Sequence, residues 1–155
     1  MSGVEVSVKG VRMPPWAGRM AAFATKAQRR ITRKGMEISL LLCDDGFMRD
    51  LNRRYRGRDR PTDVLSFRQA DGEESMPEAG GRVAGDIVIS LETMRRNALA
   101  GGRDMEEELK RLLVHGLLHL SGMDHAEGDD PDQPAGEMLA RQERLLAGLR
   151  KEKIL

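Results

Sequence analysis

Val4, Val6 and Val8 alternate with Glu5 and Ser7 near the start of the chain, and this period of two predicts a strand with one buried face. Met13-Pro14-Pro15-Trp16 breaks the alternation, with Pro15 placed to open a helix. From Trp16 to about Arg33, apolar residues return at helical spacing: Trp16, Met20, Phe23, Ala24, Ala27 and Ile31. Gly35 ends that stretch. Glu37 to Cys43 is a second strand, and its near-continuous apolar run predicts a central place in a sheet. Asp44-Asp45 offers an N-cap for a helix from about Gly46 to Arg54, with Phe47, Met48 and Leu51 on its buried side.

Val64 to Phe67 reads as a short third strand and Val83 to Ser90 as a fourth. Residues 70–82, rich in Gly, Glu and Pro, form an exposed loop between them. Leu91 to Leu99 is a short helix. Gly101-Gly102 punctuates, and Asp104 caps a long helix whose first turn holds Glu106, Glu107 and Glu108, where negative charge suits the helix dipole. A final amphipathic helix runs from about Ala135 to Leu149, with Met138, Leu139, Leu145, Leu146 and Leu149 turned inward. The pattern carries neither an internal repeat nor a linker. The predicted fold is α+β: one domain over residues 1–155, a mixed sheet of about four strands with helices packed on it.

The chain has 155 residues, enough for one domain with a real core. It has no apolar run of membrane-spanning length and no visible secretory leader, so the expected compartment is the cytoplasm and no membrane partner is expected. A single cysteine, Cys43, fits a small buried residue at a strand end. Charge is uneven along the chain. Residues 1–70 hold fifteen Lys and Arg against seven Asp and Glu, and residues 71–155 hold eleven against eighteen. That asymmetry fits a polyanion-facing first half or the pairing of two oppositely charged halves. The basic face of the first helix (Arg19, Lys26, Arg29, Arg30, Arg33) has the ordinary composition of a solvated face. The segment Arg53 to Arg60 is different in density, with five arginines in eight residues beside a strand; it fits either a solvated charged loop or a phosphate-backbone footprint.

The chemistry concentrates in His115-Gly-Leu-Leu-His119-Leu-Ser-Gly122-Met-Asp-His125, which contains all three histidines of the chain. His115 and His119 are four apart and share one helix face. Gly122 is placed to end the helix in a left-handed turn, after which His125 can approach from the side. Three imidazoles and one open coordination position make the ligand count of a catalytic zinc site, although imidazole also suits copper, nickel and iron. The spacing matches that of zinc proteases, except that Gly116 stands where their glutamate base would be. A peptidase is therefore disfavoured, while a metal could still activate water or polarise a phosphoryl oxygen. Asp86, near the start of the fourth strand, is either turned toward the site or a turn or edge residue. The acidic stretch Ala126 to Asp132 does not match a calcium loop and reads as solvated.

His-Gly-x-x-His-Leu-x-Gly-x-Asp-His resembles the signature of the YbeY family, single-domain bacterial metal-dependent endoribonucleases of ribosomal RNA maturation. The resemblance extends to Leu51-Asn-x-x-Tyr55-Arg56-Gly-x-Asp59-x-Pro61-Thr62-Asp63-Val64-Leu65-Ser66-Phe67 and to Gly85-Asp86-Ile87-Val88-Ile89. It implies one zinc per chain on His115, His119 and His125, and a role for Arg56 in binding the RNA phosphate. It also implies cleavage of single-stranded RNA near the 3′ end of small-subunit ribosomal RNA, and a part in ribosome quality control with the small subunit as partner. Arg58, Thr62, Ser66 and Asp86 are further candidates for lining the cleft. Arg58 replaces the common lysine, Met123 the common tyrosine and Arg68 the usual proline. Two rival readings stand beside this one: a zinc peptidase or other hydrolase without the usual glutamate, and a non-catalytic ribosome-assembly factor with a structural metal.

Overall fold

The computed structural model describes residues 3–32, 35–68, 83–122 and 136–155. In chain order the elements are β1 (Gly3–Lys9), α1 (Ala17–Ile31), β2 (Met36–Cys43), α2 (Asp45–Arg56), β3 (Val64–Arg68), β4 (Val83–Ser90), α3 (Leu91–Ala100), α4 (Met105–Leu120) and α5 (Gly136–Gly148). The four strands form one sheet in the order β1-β2-β4-β3. β1, β2 and β4 run parallel, and β3 pairs antiparallel with β4, so the sheet is mixed as expected. The apolar run of β2 does lie centrally, between β1 and β4.

Strand alternation sends β2 and β4 side chains to two faces. Ile38, Leu40, Leu42, Ile87 and Ile89 point into the main core, where they meet Met20, Phe23 and Ala27 of α1 and Leu113 and Leu117 of α4. The other face carries a smaller cluster, Cys43, Met48, Leu65 and Val88, with Phe47 and Leu51 of α2 packed against it. The Cys43 thiol is buried there, and burial together with the neighbouring carboxylates pushes its pKa up to about 12, so it stays protonated.

Local signals set most element ends. The Asp44 carboxylate accepts from the Phe47 amide at 2.9 Å, and that of Asp104 from the Glu107 amide at 2.7 Å. Gly57 ends α2 at φ +70°, and Gly122 follows α4 at φ +100°, the left-handed turn expected after the histidine helix. One core expectation fails. Leu139 is 41% exposed, and the buried stripe of the last helix runs through Met138, Gln142 and Leu145 instead. Those three are spaced four and three apart, which is the helical period, whereas Leu139 is rotated about 100° from Met138.

Candidate active site

α4 lies close against the sheet because two glycines permit it. A Cβ on Gly116 would stand 2.9 Å from Ile87 Cδ1, and one on Gly85 would stand 2.8 Å from the Phe67 carbonyl oxygen and closer still to Leu120. Gly116 is therefore the contact point between helix and sheet, and His115 and His119 stand beside that contact, on the flank of α4 that lines the cleft. Their ring centroids are 5.0 Å apart with planes at 56°. Both line an open cleft of about 900 Å³.

The far wall of this cleft is the segment that follows α2. Asn52, 3% exposed, donates its side-chain amide to the Arg60 carbonyl at 2.8 Å. Arg49 grips Asp59 through two contacts of 2.8 and 3.1 Å. These bonds shape the turn so that Arg56, Arg58 and Arg60 line the cleft with Thr62 and Ser66. Arg56 itself donates to the Ser66 carbonyl at 3.2 Å, and its guanidinium stands 5.3 Å from the centre of the Phe67 ring. Held this way, it presents a planar fork with less rotamer freedom left to lose on binding an anion.

The arginine-dense stretch is only partly a loop. Arg53, Arg54 and Arg56 belong to the last turns of α2, and helical rotation turns Arg53 toward Asp50 at 3.1 Å rather than into the cleft. Asp86 is corrected as well. In β4 it alternates with Gly85 and Ile87, which face α4, so its side chain belongs to the opposite face of the sheet, and it is absent from the cleft wall. No residue of α1 lines the cleft; Arg19 and Lys26 instead pair with the Ile154 carbonyl and with Glu152.

Four of the residues that the sequence pattern did not single out as functional bear directly on the site. Gln142 of α5, 2% exposed, places its side-chain oxygen 3.3 Å from His115 Nδ1. With the proton on Nδ1, the imidazole donates to that oxygen and turns Nε2 toward the cleft, as metal-ligating histidines commonly do. A polar residue on an apolar helical stripe was the signal available for it. Asp63 lies in the cleft wall. Its carboxylate accepts from the Val64 amide at 2.8 Å and from the Asn97 side chain at 3.2 Å. The remaining two, Glu108 and Asn52, are buried polar residues in an α-helix whose burial no local pattern announces.

Burial pushes the Asp63 carboxyl above its ordinary range; the Val64 and Asn97 hydrogen bonds oppose this, and the nearby Glu108 charge adds to it. Because the folded pKa is raised, the native state holds this proton more tightly than the unfolded chain does. Asp63 therefore costs stability as pH rises from the ordinary carboxylate pKa through the raised one. Asp63→Asn keeps the acceptor for Val64 and removes the titration. The melting temperature of the variant relative to wild type is expected to rise between acidic and neutral pH. A relative melting temperature that falls over the same interval would show that the hydrogen bonds outweigh burial.

Among the described residues the cleft wall carries five arginines (56, 58, 60, 103 and 111) against two carboxylates, Asp63 and Glu108. Such a surface concentrates polyanions. Among the described residues no third His, Cys, Asp or Glu joins His115 and His119 as a metal-binding group; His125, the third expected ligand, lies outside the described residues. Also among the described residues, no helix is long and apolar enough to cross a membrane.

An α+β domain with paired histidines on one wall of a cleft and arginines on the other defines a class: a hydrolase-like site built for an anionic polymer. The comparisons name the family. The family model described as Endoribonuclease YbeY matches residues 7–150. Endoribonuclease YbeY of Treponema pallidum is 47% identical over 146 residues, covering 93% of this chain and 88% of that protein. The Treponema denticola relative is 49% identical over 130 residues, covering 83% and 80%, and that of Aquifex aeolicus 40% over 120 residues, covering 77% of each. The solution structure of TM1509 from Thermotoga maritima shares the fold with a TM-score of 0.61 at 22% identity, covering 94% of this chain and 91% of that one. The chain belongs to the YbeY family, a family of endoribonucleases.

Proposed function

We propose that the protein is a zinc-dependent endoribonuclease that cuts single-stranded RNA during ribosomal RNA maturation, at the 3′ end of the small-subunit RNA. The same reading gives it a part in ribosome quality control in the cytoplasm, with the small subunit as partner. One observation carries the proposal: two separate motifs, the His115–His119 pair and the Arg56 to Ser66 segment, face each other across one cationic cleft.

The donor set suits zinc. Two imidazoles one helical turn apart, the first oriented by Gln142, lie on the cleft side of α4, and His125 would complete the three-histidine set. When bound, zinc supplies Lewis-acid activation of water and of a phosphoryl oxygen. Arg56, steadied by the Ser66 carbonyl and the Phe67 ring, binds the phosphate and offsets the negative charge that develops on it during cleavage. Arg58 and Arg60 extend the positive wall along the strand, and Thr62 and Ser66 border it. Tyr55, 57% exposed, and Phe67 meet edge to face at 5.2 Å beside Arg56.

The test is cleavage of a single-stranded RNA by purified protein with zinc content quantified, beside Arg56→Ala. We expect wild type to cut, and Arg56→Ala to keep its zinc while losing about a hundredfold in kcat/KM, the usual cost of removing one charge-stabilising donor. Unchanged cleavage in Arg56→Ala would take that role away from Arg56. A wild-type protein that holds zinc and cuts no RNA would overturn the endoribonuclease reading and bring forward the peptidase and assembly-factor readings.

A further inference from the structure

The cleft contains a second cationic group that neither the histidines nor Arg56 explains. Glu108, in the first turn of α4, lines the cleft, yet its side chain is only 2% exposed. Its two oxygens hold two different arginines. Arg103, from the turn before α4, donates through Nε at 3.2 Å, and Arg111, from the next helical turn, donates through Nη1 at 2.8 Å. Both arginines are about one-third exposed and both line the cleft. Among the described residues neither guanidinium has another side-chain partner. Most of each donor fork is thus left for something in the cleft.

The arrangement is more than charge neutralisation. One arginine would balance Glu108; the second adds to a cleft wall whose described residues carry five arginines against Glu108 and Asp63. Glu108 sets the direction of both forks, which lowers the entropy lost when an anion is gripped. Position along the cleft follows from register. Arg56 is anchored on Ser66, which pairs with Ile87, and Ile87 lies beneath Gly116, so Arg56 stands level with the histidines. Arg111 lies four residues before His115, about 6 Å nearer the N-terminus of α4. The two cationic points are therefore separated along the path a strand would take past the histidines.

We propose that Arg103 and Arg111, splayed by Glu108, form a second phosphate-binding subsite that takes a phosphodiester of the same strand away from the scissile bond. The proposal rests on reading the cleft as the RNA-cutting site. It concerns binding, and so is read without relying on cleavage.

The experiment measures affinity for an oligouridylate across a series of salt concentrations, using wild type, Arg111→Gln, Arg103→Gln and Arg29→Gln. Each cleft variant keeps one arginine on Glu108, which avoids an unpaired buried carboxylate. Arg29 is an exposed arginine of α1 and controls for loss of a charge anywhere on the surface. In Arg111→Gln and in Arg103→Gln we expect the slope of log affinity against log salt to shrink by about 0.7, the single-strand value for one phosphate contact. Affinity should fall about tenfold, the effect of losing one charge-assisted hydrogen bond. KM should rise with kcat held, and Arg29→Gln should keep the wild-type slope. A wild-type slope in both cleft variants overturns the subsite while leaving the RNA reading intact, and so does an equal loss in Arg29→Gln. Wild-type protein that binds no single strand at any salt overturns both together.

Discussion

His119→Ala is expected to strip the protein of zinc and to lower kcat/KM on single-stranded RNA by about three orders of magnitude, because Lewis-acid stabilisation is worth several kcal/mol. The fold should survive. His119 is half-buried and lines the open cleft, outside the hydrophobic core cluster, so truncation opens no cavity in the core. Alanine is also the best helix former at that position. The check is zinc content per chain, far-UV circular dichroism and cleavage on the same preparation. Loss of zinc with cleavage unchanged would separate the metal from the chemistry. Loss of stability with RNA binding kept, in a wild type that never cuts, would make the metal structural.

The second large effect is at Gly116, and it bears on the peptidase alternative. Restoring the protease pattern by Gly116→Glu should yield no peptidase; it should yield a protein that does not fold. The first side-chain carbon would already press on Ile87 at 2.9 Å, and Gly116 is fully enclosed between α4 and the sheet. A carboxylate forced against Ile87 enters the apolar core that holds Leu113 and Leu117, and burying it unpaired costs several kcal/mol. That is comparable to the whole stability of a small domain. Soluble yield and a urea melt test this. Gly116→Ala calibrates the result: alanine gains about 1 kcal/mol in helix propensity, but crowding the fully buried Ile87 costs about 1–3 kcal/mol, so a small net loss of stability is expected. A folded Gly116→Glu protein with near-wild-type stability would show that the helix can lift from the sheet. The glycine in the motif is therefore explained by packing in this fold, independently of any catalytic history.

Both effects trace to what is legible at different ranges along the chain. Helix and strand identities follow from near neighbours: the Val4 to Val8 alternation, the Asp44 and Asp104 caps, the Gly57 and Gly122 stops. His115 and His119 share a face for the same reason, since four residues complete about one helical turn whatever surrounds them. The resemblance of the two motifs likewise leads to the YbeY family without any coordinates.

What the linear pattern could not supply is anything set by contacts between distant elements. Asp86 belongs to the sheet face away from the histidines because α4 crosses the face of Gly85 and Ile87, and the position of α4 is set by packing across the sheet. Gln142 meets His115 across 27 residues, and Asp63 meets Asn97 across 34. Glu108 reads as one more acid at a helix start until burial and its two arginines give it a different purpose. By itself the sequence determined the elements, the pairing of two imidazoles on one helix face, and the family. The tertiary structure alone decided which polar residues share the cleft with them, because hydrophobic packing, which is non-directional along the chain, chooses which faces meet.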